Sequence, residues 1–366
     1  MTKRRSPARR RGGAFGALDL GTNNCRLLVA RPSTGGFDVI DSFSRIVRLG
    51  EGLAGSGRLG DQAMARTLAA LRVCARMLAH HEVRASRAVA TEACRRAANG
   101  AEFLDRVERA TGLILEVLPH EHEAHLALLG CLTLIDPATD HVLLMDVGGG
   151  STELLWLDRR SGDPGVVRFT VSLPVGVVSL AETFSGDPDG PTFEAMSGDV
   201  GRMVRDIERW HGLPGAFDSG PVQLIGTSGT VTTLAAVLLD LPRYERRRID
   251  GLTVEIEAIG AVARRLRGMG QEARRRHPCI GPGRADLVVP GAAILEAVLR
   301  RWPISRLSVA DRGLREGILH GLMGRRLEDA VRLGPAPGRD PPGPRDRLLA
   351  PCGPCSEPGS LPRVAR

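Results

Sequence analysis

Apolar residues dominate from Gly16 to Ala30 with a break at Gly21, and from Phe37 to Phe43 they alternate with polar ones. That pattern predicts a strand, a tight turn and a further strand pair. After a loop over Arg45–Gly60, a 3.6-residue period predicts a helix over Asp61–Glu82. A short apolar run at Ser86–Thr91 reads as a buried strand, Ala101–Thr111 as a helix, Leu113–Leu118 as a strand and Glu121–Leu134 as a helix. Asp136-Pro137-Ala138-Thr139-Asp140 then interrupts the pattern. Beyond it the opening is repeated: a strand at His141–Val147, a hairpin partner at Glu153–Asp158 and a strand at Gly165–Leu173. Helices are predicted at Ser179–Phe184 and Thr192–His211, a strand at Val222–Ile225 and a helix at Val231–Leu239. A last strand, Ser305–Ala310, precedes a helix over Leu314–Arg326. Alternating strands and helices that start twice in the same way predict an α/β fold made of two duplicated domains. The expected division is residues 14–136 and 137–310, with a helix from about 311 to 326 packing back on the first domain.

The ends of the chain differ from this body. Residues 1–13 form a basic arm and residues 334–366 a Pro-, Gly- and Arg-rich tail without periodicity, and both are expected to be disordered because they cannot bury enough surface to offset chain entropy. Much of the formal net charge of +8 sits in these ends, so the charge predicts no specific nucleic-acid partner. Lys3 is the only lysine among 50 basic residues, and an arginine-lined cleft would suit a polyanionic substrate. No apolar run approaches the roughly 18 residues of a membrane span, and the basic start lacks the apolar core of a signal peptide. A cytoplasmic protein is the expectation. Seven irregularly spaced cysteines argue against a disulfide framework. Cys352-Gly353-Pro354-Cys355 spells a redox motif, but among Pro and Gly it lacks the strand-to-helix setting that stabilises a thiolate.

The chemistry concentrates in three segments. Asp19-Leu20-Gly21-Thr22-Asn23 and Asp146-Val147-Gly148-Gly149-Gly150-Ser151-Thr152-Glu153 each place an Asp at the end of an apolar run, then glycine and hydroxyl or amide residues. The Asp can bind a hydrated cation or position a water. The glycines let backbone N–H groups approach phosphate oxygens. Gly226-Thr227-Ser228-Gly229 repeats the pattern a third time. Asp146 and Glu153 stand seven positions apart across a hairpin, so that both can face one cation, and a carboxylate within Leu154-Leu155-Trp156 needs such compensation.

Between the halves lies His120-Glu121-His122-Glu123-Ala124-His125. The histidine spacing invites a zinc reading, yet on a helix His120 and His122 diverge by about 200°. The acidic residues also suit a helix N-terminus, and a carboxylate beside the cleft could act as a general base on water. Arg95 follows a buried strand at the ligand-binding end of the sheet. Arg284, in Gly281-Pro282-Gly283-Arg284, is a candidate for the opposite wall or for a helix start.

The three loops, Thr91–Ala97, Glu123-Ala124 and Asp311-Arg312-Gly313-Leu314-Arg315-Glu316-Gly317 resemble the exopolyphosphatase and guanosine pentaphosphate phosphohydrolase family of the actin, sugar-kinase and Hsp70 superfamily, in its short two-domain form. The resemblance spans roughly Gly16–Met323. It implies two actin-like, ribonuclease H-like domains around a cleft and hydrolysis of a terminal phosphoanhydride of inorganic polyphosphate or of guanosine pentaphosphate. It assigns Glu123 as base and Arg95 as a phosphate-binding arginine. Asp146 and Glu153 lie at Mg²⁺ or another divalent cation, and Asp19, Gly21, Thr22, Asn23, Gly148, Gly149 and Ser151 at phosphate. The family often forms dimers, so a homodimer is expected. Where the family commonly has Gly-x-Glu-Glu-Ala-Arg, this chain has His122 and His125 beside Glu123, which puts the working pH in question. A small-molecule kinase with an adenosine pocket at Gly226–Thr230 and a non-catalytic polyphosphate or alarmone sensor are the readings from other classes.

Overall fold

A computed structural model of the chain describes residues 13–160, 165–184, 186–188, 190–211, 217 and 220–333. Residues 1–12 of the basic arm and the whole tail from 334, with Cys352 and Cys355, lie outside the described residues. The first half runs β1 (Phe15–Leu20), β2 (Asn24–Ser33), β3 (Gly36–Ile46), α1 (Leu53–Ser56), α2 (Asp61–His80), β4 (Ala85–Ala90), α3 (Glu92–Arg96), α4 (Gly100–Thr111), β5 (Leu115–Val117) and α5 (His120–Cys131). The second half runs β6 (His141–Val147), β7 (Thr152–Asp158), β8 (Gly165–Leu173), α6 (Val177–Thr183), α7 (Gly190–His211), β9 (Val222–Thr227), α8 (Ser228–Leu238) and α9 (Arg246–Ile249). It continues with β10 (Thr253–Glu255), α10 (Ile256–Gly268), α11 (Gln271–Arg276), α12 (Val288–Arg301), β11 (Arg306–Ala310), α13 (Leu314–Leu322) and β12 (Val331–Leu333).

The five-stranded sheet has the order β3-β2-β1-β4-β5, and the seven-stranded sheet contains the same order as β8-β7-β6-β9-β11, with β10 and β12 added at its edges. In both, the first three strands pair antiparallel and the next two join in parallel. The α/β class and the duplication expected from the repeated opening are therefore present strand for strand. Element ends depart from the sequence pattern where local geometry intervenes. The helix expected to reach Leu134 tightens into a 3₁₀ turn at Leu132–Leu134. The one expected to reach Arg326 stops at Leu322, ahead of Gly324 at φ 90°. Strand β12, three residues long, is too short to have been read from periodicity, and it pairs with β8.

Both central strands are buried on both faces, which is why they read as nearly continuous apolar runs. On β1, Leu18 and Leu20 face the core formed with α2 and α4, while Phe15 and Ala17 face Leu314, Ile318 and Leu319 of α13. On β6, Leu143, Met145 and Val147 face the core formed with α7, α8, α10 and α12, while Val142 and Leu144 face Ala124, Ala127 and Leu128 of α5. The two halves thus exchange helices: α5 of the first half covers the second sheet, and α13 of the second half covers the first. Alternation then puts Asp19 on the α13 face of its sheet and Asp146 on the α5 face of the other, at adjoining strand ends.

The exchanged helices touch through glycine. A methyl group on Gly317 would overlap the Leu126 carbonyl oxygen, and one on Gly130 would overlap the Gly313 carbonyl. Neither obstacle is a flexible side chain, so the helices would have to separate. Gly317→Ala is expected to cost about 2–4 kcal/mol, at the upper end of overpacking penalties. Urea unfolding measures it, and a loss below 0.5 kcal/mol or so would show that the contact is not tight.

Candidate active site

The cleft between the two sheets is lined by the first loop (Asp19, Gly21–Asn24), the second (Asp146–Ser151), the third (Thr227–Thr230), Glu92, Glu123, Arg284 and the start of α13. The loops touch: a side chain on Gly149 would come within 3.1 Å of the Asn23 nitrogen, and one on Gly150 within 2.8 Å of Thr22 Oγ1. Gly21 and Gly148 close the two hairpin turns, each donating its N–H to the residue three positions on, Asn24 and Ser151, at 2.9 Å. Among the described residues the Gly149 and Gly150 N–H groups donate to no protein oxygen. Thr22 Oγ1, Asn23 Oδ1 and Glu123 Oε2 are buried without a hydrogen-bond partner. Orphaned donors and acceptors of this kind are costly unless a ligand completes them. The third loop carries strain as well. Ser228 sits at φ 82°, a left-handed conformation rare for a non-glycine residue and frequent at functional sites. Its hydroxyl holds that conformation by donating to the Val147 carbonyl at 2.6 Å.

Register explains the pairs at the hairpin ends. Asp146 stands directly across from Glu153, so both lie on the α5 face. Glu153 is buried and accepts a hydrogen bond from Ser172 at 2.9 Å and another from Ser151. Burial and the Asp146 charge push its carboxyl up to about 7, and burial pushes Asp146 up to about 6. Asp19 is raised by burial too, opposed by Arg26 and Arg315. Glu123, in the first turn of α5, is held well above the carboxylate range by burial and then by Glu153, with Arg95 pulling it down. Asp19, Glu123 and Asp146 thus line the cleft together, and Glu153 lies buried behind them, across the hairpin from Asp146.

Not every residue expected at the site reaches it. Arg95 lies behind the wall: its Nε and Nη2 donate to Glu92 Oε2 at 3.2 and 2.8 Å, its Nη1 donates to the Leu118 carbonyl, and Nη1 also stands 3.5 Å from Glu123 Oε2. Thr152 is fully buried and donates to the Val175 carbonyl at 2.7 Å. Gly226 packs under Val231 and Leu307. Arg284 lines the cleft and donates to Thr233 Oγ1 at 3.1 Å. Of the histidines, His125 approaches Thr170 at 3.4 Å and His122 is exposed. Among the described residues no three His, Cys, Asp or Glu side chains gather as a metal cluster.

Three cleft residues escaped the sequence reading. Glu92 was obscured by the more conspicuous Arg95. Arg26 stands across from Asp19 in the register, the position that Glu153 holds across from Asp146. The equal seven-residue spacing in the two hairpins was the available signal. Arg315 is carried in by α13 from the far end of the chain, and burial depresses its guanidinium. Neither guanidinium group makes a hydrogen bond or ion pair with protein among the described residues.

The chain matches the Ppx/GppA phosphatase family over residues 28–326. It is 32% identical to exopolyphosphatase 2 of Mycobacterium tuberculosis, over 84% of this chain and 98% of that one. Among solved structures it is similar to an exopolyphosphatase-like protein at 32% identity and a TM-score of 0.78, covering 86% of this chain and 99% of the other. The Aquifex aeolicus Ppx/GppA protein superposes with a TM-score of 0.69 at 30% identity, over 85% and 97%. The mixed α/β fold with two sheets of one shared strand order is that of the Ppx/GppA structures.

The raised carboxyls predict an unusual pH dependence of stability. Their folded pKa values exceed the unfolded ones, so the stability they contribute is full at low pH and is lost as pH rises through about 6 for Asp146 and about 7 for Glu153. Glu153→Gln keeps an acceptor for Ser151 and Ser172. Without metal it should melt a few degrees above wild type at about pH 8, the gap closing towards pH 4.5. A gap that does not depend on pH would refute the assignment.

Proposed function

The chain belongs to the Ppx/GppA phosphatase family, and from that premise we propose that it is an exopolyphosphatase: it hydrolyses the terminal phosphoanhydride of inorganic polyphosphate, with Glu123 as the general base. The observation that carries the reading is the Glu123 carboxylate, buried with Oε2 lacking a hydrogen-bond partner in the cleft where the two hairpin loops meet. A carboxylate there can accept a proton from water as the oxygen attacks the end phosphorus. The bridging P–O bond breaks, orthophosphate leaves, and the bridging oxygen stays with the shortened chain as an anion that needs no proton. Burial makes Glu123 a stronger base than a solvated carboxylate, and Arg95, 3.5 Å from it, favours the ionised form that the step requires.

The oxygen-only donor set fits a divalent cation such as Mg²⁺. Asp146 and Glu153 would hold it, with Asp19 facing them from the other hairpin, and when bound it would neutralise charge on the transferred phosphoryl group. Mg²⁺ commonly takes one or two carboxylates and completes its sphere with water and substrate phosphate. The free Gly149 and Gly150 amides, Thr22, Asn23 and the Arg26, Arg284 and Arg315 guanidinium groups would meet the remaining phosphate oxygens.

Phosphate release measured side by side on long-chain polyphosphate and guanosine pentaphosphate tests the reading. Release from polyphosphate alone, with no acceptor, is expected, and a chelator should abolish it. Glu123→Gln should lower kcat by about 10³-fold, the range for removing a general base, without loss of folding. Hydrolysis confined to guanosine pentaphosphate would transfer the activity to the nucleotide. An unchanged kcat in Glu123→Gln would remove Glu123 from the mechanism.

A further inference from the structure

The loop between β3 and α1 bridges the two halves beside the cleft. Its Val47 and Arg48 N–H groups both donate to the Asn23 carbonyl, at 2.9 and 3.0 Å, and Gly50 N–H donates to the Thr22 carbonyl at 2.9 Å. The strap is therefore tied to the backbone of the first phosphate loop. From this anchorage it reaches the other half at two places. Arg48 clasps Asp286 with two parallel contacts, Nη1 to Oδ2 at 2.8 Å and Nη2 to Oδ1 at 2.9 Å. Gly52 N–H donates to Glu182 Oε1 of α6 at 2.8 Å. Gly283 packs against Ile46 so closely that a side chain there would collide with it.

Several features set the Arg48–Asp286 pair apart from ordinary surface ion pairs, which contribute little. It is two-pronged, the geometry in which guanidinium and carboxylate bind most strongly. Only about a third of either side chain is exposed (32% and 30%). Arg48 holds φ 48°, a left-handed conformation uncommon for arginine, and such strain persists where surrounding contacts impose it. Asp286 lies two residues from Arg284, which lines the cleft, whereas neither Arg48 nor Asp286 lines it. One end of the clasp is thus fixed to the first phosphate loop and the other to the segment carrying a cleft arginine.

We propose that the Arg48–Asp286 clasp is a processivity latch: it keeps the two halves closed on the polyphosphate chain between successive hydrolyses, so that the shortened chain advances instead of dissociating. This rests on the polyphosphate reading above. A long chain must stay engaged through many cycles, whereas a short one is finished after one or two. Breaking the latch therefore spares hydrolysis of a short substrate and shortens each encounter with a long one.

The test follows long-chain polyphosphate on gels after a single binding encounter, with excess unlabelled chain as a trap, alongside phosphate release from tripolyphosphate. Wild type should convert long chains to orthophosphate without a ladder of intermediates. Arg48→Ala and the near-isosteric Asp286→Asn should produce a ladder, with phosphates released per encounter falling about tenfold, the effect of a loosened charge-assisted pair on dissociation. Tripolyphosphate turnover should stay within about twofold, because the groups that perform the step are untouched. The exchanged pair Arg48→Asp with Asp286→Arg should restore processive behaviour. The latch is refuted if wild type itself makes ladders, if the folded single variants release as many phosphates per encounter as wild type, or if both substrates lose rate equally. Failure of wild type to release phosphate from either substrate would instead refute the polyphosphate reading, and the latch with it.

Discussion

Three carboxyl groups, Asp19, Glu123 and Asp146, line the cleft, and a fourth, Glu153, is buried beside Asp146. Their mutual repulsion and desolvation are visible in the upward displacement of every one. Such an arrangement opposes folding in proportion to how fully the groups ionise. It persists because each acid sits on an element whose other residues are committed to a core: Asp19 and Asp146 end strands buried on both faces, and Glu123 starts a helix seated on Ile225 and Leu155. The packing sustains the electrostatic conflict, and the conflict leaves polar groups that the protein itself does not satisfy, among them Thr22 Oγ1, Asn23 Oδ1 and Glu123 Oε2.

The exchange of α5 and α13 makes that convergence possible. A helix returning to its own sheet would leave the acids of the two halves independent. Here α5 carries Glu123 from the first half onto the second sheet, beside Asp146 and Glu153, while α13 carries Arg315 from the second half onto the first sheet, beside Asp19 and Arg26. The glycine contacts at Gly130 and Gly317 let the two helices pass at backbone distance. A displacement of either half therefore reaches the site through a short, stiff path.

Much of this was legible in the chain itself. The repeated strand-turn-strand opening and the apolar runs revealed the duplicated α/β fold, because strands buried on both faces have no other composition open to them. The loops were legible because phosphate sites need glycine, hydroxyls and an acid in order. Side-chain direction was not. Arg95 read as a cleft residue from its place after a strand, but Glu92 and the Leu118 carbonyl turn its guanidinium behind the wall. Thr152 and Gly226, inside the motifs by position, face the core. Arg315 lies in the Asp311–Gly317 segment that carried the resemblance, but only the tertiary exchange of helices brings it to the cleft.

The two hairpins finally show how a duplicated fold acquires direction. Both place an aspartate opposite the residue seven positions later, and the register is the same in both. In the second hairpin that residue is Glu153, so the pair is doubly acidic and suited to a cation. In the first it is Arg26, so the pair is balanced, and with Arg315 beside it that side of the cleft gains positive charge suited to the trailing anion of a chain. One substitution of charge at symmetric positions converts a two-fold scaffold into a polar one. Under the exopolyphosphatase proposal this asymmetry would orient a chain with one reacting and one trailing end, its terminal phosphorus towards Glu123 and its remainder towards the arginines.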